Sequence, residues 1–188
     1  MPINIPIILT WLRIAMIPLV VGLFYLPESW VSVPVRDAWA AYAFIIAALT
    51  DWFDGWLARR WNQTSAFGAF LDPVADKLMV CAALIVLLNL GRIDAFITLI
   101  IIGREITISA LREWMAEIGQ RRKVAVSQLG KYKTILQIIG LSMMLFRWDL
   151  LGLPIFSIGF LFTVVAAAFT LLSMFSYLRA AWPELKRH

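Results

Sequence analysis

Six apolar runs, residues 7–25, 38–59, 67–90, 95–115, 129–146 and 155–178, take up most of the chain. Each is near the roughly 20 residues that a helix needs to cross the hydrocarbon core of a bilayer. Inside lipid the backbone must satisfy its own N–H and C=O groups, so runs of this length are read as helices. Composition points the same way: with 62% hydrophobic and 15% charged residues and a mean hydropathy of +0.82, the chain has too little polar surface to clothe a soluble globule. The expected fold is an all-α integral membrane protein of six transmembrane helices, one domain over residues 1–188. A short N-terminal segment, residues 1–6, is expected to lie along the interface.

Charge and cysteine content narrow the function classes. The formal charge of +5 would suit nucleic acid on a polar protein, but in one this apolar it marks cytoplasmic ends and anionic membrane lipids, and no nucleic-acid partner is expected. Arg59, Arg60, Arg121, Arg122, Lys123, Arg179, Lys186 and Arg187 fall on the side of the termini, against Arg36, Arg92 and Arg147 opposite. By the positive-inside rule the termini and the basic turns face the cytoplasm. Cys81 has no second cysteine to pair with and reads as a packing residue. The amino terminus lacks a basic n-region and a small-residue cleavage site, so the first run is expected to be retained. Trp30, Trp61, Trp148 and Trp182 lie near the ends of runs, where an amphipathic ring anchors at the headgroups.

Four aspartates interrupt this pattern. A carboxylate at mid-membrane costs roughly 2.5–3.5 kcal/mol, so four of them need compensation. At about 100° per residue, Asp51, Asp54, Gly55, Ala58 and Arg59 share one face of the second run. Gly68, Asp72 and Asp76 recur every four residues on the third and form a second stripe. Two adjacent antiparallel helices would bring the stripes together. An all-oxygen site suits Mg²⁺ or Mn²⁺ rather than zinc, and the lone histidine is His188. A proton or sodium pathway in a transporter, and helix pairing through polar groups, remain alternatives on physics alone.

Read in order, these residues form a D-x2-D-G-x2-A-R-x8-G-x3-D-x3-D string from Asp51 to Asp76, which resembles the complete signature of the CDP-alcohol phosphotransferases. The resemblance implies an enzyme that transfers a phosphatidyl group from CDP-diacylglycerol to an alcohol with release of CMP, using two divalent ions. It implies that Asp51, Asp54, Asp72 and Asp76 hold the metals and that Asp76 also takes the acceptor's proton. For CDP-diacylglycerol it implies Asp51 and Asp54 with Gly55, Ala58, Arg59, Ser65 and Gly68, and main-chain groups of Ile5, Pro6, Ile7 and Ile8. Ala66 departs from the family pattern, in which many members carry a basic residue there.

A second cationic set follows. Arg104 and Arg112 stand on one side of the fourth run, and Lys131 and Lys133 open the fifth. Arginine supplies paired contacts and lysine a point charge, as a phosphate dianion requires. Ion pairing of Arg104 or Arg112 with Glu105, Glu113 or Glu117 is the plainer alternative. The segments FGAFLDPVADK over residues 67–77, Arg104-Glu105-Ile106, SALREWMAE over 109–117 and Gly130-Lys131 resemble family members whose acceptor is sn-glycerol 3-phosphate. This implies that Arg104, Arg112 and Lys131 hold its phosphate, that the protein lies in a bacterial inner membrane with its active site toward the cytoplasm, and that it is a homodimer. Relatives accepting inositol phosphate or serine are the alternatives within the family. An ion-coupled transporter or a structural lipid-associated protein are the alternatives outside it.

Overall fold

The computed structural model describes the backbone of residues 5–61, 66–120 and 128–185. Six helices follow in order: α1 (Ile5–Leu23), α2 (Val33–Trp61), α3 (Ala66–Asn89), α4 (Ala95–Glu117), α5 (Gln128–Phe146) and α6 (Ile155–Leu185). No strand longer than an isolated bridge occurs among the described residues. Each expected run coincides with one helix. The differences lie at the ends: α2 begins before residue 38 and takes Pro34 into its first turn, where proline is tolerated, and α6 continues to Leu185 with Pro183 inside it. Ile5 and Pro6 belong to α1 rather than to a separate interfacial segment, and residues 1–4 lie outside the described residues.

Local chemistry sets the turns. Gly91 and Gly119 adopt φ of +64° and +74°, the left-handed geometry that closes a helix, and Arg92 N–H then bonds back to Leu87 O at 2.8 Å. Asp94 caps α4 by accepting from Phe96 N–H at 2.7 Å. Between α3 and α4, Arg92 donates to Asp37 Oδ2 at 2.5 Å and to the carbonyl of Leu145 at 3.0 Å, so one guanidinium joins the starts of α2 and α4 to the end of α5. Burial pulls the Arg92 guanidinium below its usual pKa, and the Asp37 carboxylate opposes that shift.

Two helices, over Val33–Thr50 and Ile155–Pro183, are long and apolar enough to cross a membrane by themselves, and Ile8–Leu23 and Tyr132–Phe146 are shorter apolar stretches. The core runs through the bundle from Phe44 and Ala47 on α2, across Ala83, Leu84 and Leu87 on α3 and Ile101 on α4, to Leu141 and Met144 on α5. The α5–α6 pair is packed closest. A Cβ on Gly140 would lie 2.6 Å from Thr163 Oγ1 and 2.8 Å from the carbonyl of Gly159, so absent side chains let the two backbones touch. Leu19, Leu49, Leu99, Leu161 and Phe175 are exposed on the outer face of the bundle, as lipid-facing positions of a membrane protein would be.

Candidate active site

Asp51 and Asp54 stand in the last turns of α2, and Asp72 and Asp76 in the first turns of α3. Only residues 62–65 separate these helices, so all four aspartates come from the joined end of one helix pair. The side chains of Asp51, Asp54, Gly55, Ala58 and Arg59 lie outside the described residues, as do Ser65 and the side chains of Ile5, Pro6, Ile7 and Lys131. Gly68 is buried on α3 and Ile8 is exposed on α1.

Around the described aspartates the packing is specific. Thr10, buried on α1, donates from its hydroxyl to Asp72 Oδ1 at 2.7 Å, and Arg13, one turn further along α1, is fully buried. The start of α1 is thereby held against the aspartate end of α3. A carboxylate that accepts one hydroxyl keeps further lone pairs for a cation, and such outer bonds orient metal ligands. Among the described residues no group of three metal-ligating side chains occurs. The donor set offered by α2 and α3 is all carboxylate oxygen, which fits Mg²⁺ or Mn²⁺.

Asp76 also opens onto a cavity of about 260 Å³. Its wall combines Asp76 and Lys77 from α3, Arg104, Glu105 and Arg112 from α4, Lys133 from α5 and Tyr177 from α6. The spacing of Arg104 and Arg112, two turns of α4 apart, lets one helix supply both guanidinium groups to this wall. Arg104 is buried and Arg112 exposed. Arg104 donates to Glu105 at 2.9 Å and to Ser173 Oγ at 2.9 Å, and Lys133 also donates to Glu105. The ion pair weighed as the plainer alternative for Arg104 therefore exists, and it forms part of the cavity wall. Four cationic side chains against two carboxylates leave the wall net positive, apt for a small multiply charged anion.

Lys77, Ser173 and Tyr177 were not among the sequence-derived site residues. Lys133 was read with Lys131 as part of the cationic set that opens α5. Ser173 and Tyr177 had no local signal, because only the fold of α6 onto α4 brings them to the site.

Comparisons with known proteins give a consistent result. The family described as CDP-alcohol phosphatidyltransferase matches residues 3–175. A CDP-diacylglycerol–glycerol-3-phosphate 3-phosphatidyltransferase of Sodalis glossinidius is 50% identical over 191 residues, spanning 100% of both chains. Proteins of the same name from Pectobacterium atrosepticum and Salmonella typhimurium are 50% and 48% identical, each over 98% of both chains.

Proposed function

Because the chain belongs to the CDP-alcohol phosphatidyltransferase family, we propose that it transfers the phosphatidyl group of CDP-diacylglycerol to sn-glycerol 3-phosphate. The products are phosphatidylglycerophosphate and CMP. The observation that carries this reading is the shared wall: Asp76, the last aspartate of the signature, lines the same cavity as Arg104 and Arg112. An acceptor phosphate held by the arginines would leave its hydroxyl end free to approach the aspartates. Full-length relatives named for this reaction support the same acceptor.

In this reading Asp51, Asp54, Asp72 and Asp76 hold two Mg²⁺ or Mn²⁺ ions. When bound, such ions neutralise the donor's pyrophosphate and stabilise the entering and leaving oxygens of an in-line displacement. The protein's own groups do the rest. Thr10 fixes the Asp72 carboxylate through its 2.7 Å bond. Arg104 and Arg112 hold the acceptor phosphate through charge-assisted hydrogen bonds, with Lys131 assigned to the same role. Asp76 takes the proton from the acceptor hydroxyl as that oxygen forms its bond to phosphorus and the bond to the CMP oxygen breaks. Gly55 and Ala58 leave room for the nucleotide, with Arg59, Ser65, Gly68 and the main chain of Ile5, Pro6, Ile7 and Ile8 completing the donor site. The six helices span a bacterial inner membrane, the aspartate end and both termini face the cytoplasm, and the protein is a homodimer.

The decisive assay is CMP release by the purified protein in detergent, with CDP-diacylglycerol as donor and a panel of acceptors. Glycerol 3-phosphate should support turnover and serine should not. Release that depended on inositol phosphate instead would replace the acceptor while keeping the family.

A further inference from the structure

Among the described residues, Glu105 is the one carboxylate in the cavity wall that lies outside the aspartate signature. Its Oε1 receives both Arg104 from the same helix, at 2.9 Å, and Lys133 from α5. The two cations are 8% and 3% exposed, so both lean on protein partners far more than on bulk water. Arg104 is fixed from a second direction by Ser173 on α6, whose hydroxyl accepts from Arg104 and donates to the Thr170 carbonyl at 2.9 Å. Arg104 Nε remains buried with no hydrogen-bond partner among the described residues. A buried guanidinium with donor capacity left over is held in place without being saturated, as a group reserved for a ligand would be.

We infer that Glu105 is a positioning residue for the acceptor site: one carboxylate fastens Arg104 and Lys133 side by side so that both address the phosphate in a fixed geometry. The inference rests on the reading of the cavity as the acceptor-phosphate site. Without the Glu105 charge, two buried cations face each other with only Asp76 left in the described wall as a counter-charge, and they separate. The site would keep its cations and lose their spacing. Bidentate recognition suffers from such a displacement more than nonspecific attraction does.

The test uses the full-length protein in detergent, with KM measured for both substrates alongside thermal unfolding. Glu105→Gln should raise the KM for glycerol 3-phosphate by about tenfold or more while the KM for CDP-diacylglycerol stays within about twofold. Glu105→Asp, which keeps the charge on a shorter arm, should recover part of that loss. Equal weakening for both substrates, or a native-like acceptor KM, would overturn the inference. Arg112→Gln separates this from the underlying reading, because Arg112 contacts the cavity outside the Glu105 pair. If Arg112→Gln raises the acceptor KM and Glu105→Gln does not, only the positioning role fails; if neither does, the acceptor-site reading fails as well. Should Glu105→Gln not fold, Glu105→Asp decides: a rise of about threefold or more in acceptor KM alone supports the inference, and no change overturns it.

Discussion

The Thr10 hydroxyl shows how a residue with no charge of its own can bear on phosphoryl-transfer chemistry. It sits in an apolar helix, 62 positions from the aspartate it touches, and its bond to Asp72 Oδ1 leaves that carboxylate in one orientation. Replacing it with valine should loosen the ligand without removing it, and such outer partners are typically worth about 10–100-fold in metal affinity. Thr10→Val should therefore shift the Mg²⁺ activation curve to higher concentration by about that factor while the maximal rate at saturating metal falls less. An unchanged activation curve would remove Thr10 from the site. Asp76 poses a sharper question, because it is assigned both as ligand and as base. Asp76→Asn should still bind CDP-diacylglycerol, since Asp51, Asp54 and Asp72 remain, yet release CMP in a single turnover at least about 100-fold more slowly. Parallel loss of donor binding and turnover would leave only the ligand role. At this scale the candidate aspartates stand out in the sequence because a carboxylate within an apolar run is costly and their spacing is regular. Choosing between Lys131 and Lys133 was not, because it depends on how α5 is rotated against α4, and a helix that is apolar nearly all round carries little record of its rotation in sequence. Among the described residues the α5 lysine in the wall is Lys133, and the Lys131 side chain lies outside them.

At the level of elements, apolar length was enough to locate every helix, and the departures have local causes. Pro34 is accepted at a helix start, so α2 reaches back toward Ser32, and no competing turn halts α6 before Leu185. Contacts between helices were less legible, because small residues and buried polar pairs set them. The approach of α5 and α6 depends on Gly140 and Gly159 lying back to back. Gly140→Ala should cost about 1–3 kcal/mol through overpacking, since the nearest obstacles include the Gly159 backbone carbonyl, which cannot swing aside. The measurement is the unfolding midpoint in detergent, and an unaltered midpoint would mean that the helices do not approach this closely. Asp37→Asn tests a different joint. It leaves Arg92 buried beside the carbonyls of α5 without its counter-charge, which should lower stability by about 3–5 kcal/mol with little effect on either KM measured below the midpoint. A change in KM at full stability would place this clamp in the catalytic machinery instead.

For the whole molecule the open quantity is direction across the membrane, and charge distribution supports one orientation. Of the three arginines at the end opposite the termini, Arg36 and Arg92 both lie against Asp37, and Arg147 stacks on the Trp148 ring at 5.8 Å. One carboxylate offsets part of the Arg36 and Arg92 charge, whereas Arg147 is exposed. At the other end Arg112 and Arg179 are exposed, near the aspartates and the tail. A phosphorylated acceptor and a nucleotide leaving group are both soluble and charged, so a site supplied from the cytoplasm belongs at the end where the basic turns lie. In the proposed six-span orientation Gln120 and the C-terminus would lie inside and residues 147–154 outside. With Cys81 replaced by alanine, single cysteines at Gln120, Asp149 and His188 report these three positions to a membrane-impermeant maleimide. Asp149→Cys should label in cells whose outer membrane alone is permeabilised, and Gln120→Cys and His188→Cys only after the inner membrane is broken. The reverse pattern would invert the protein and place its active site away from soluble substrate, and labelling of Asp149→Cys and His188→Cys from the same side would mean that α6 does not cross.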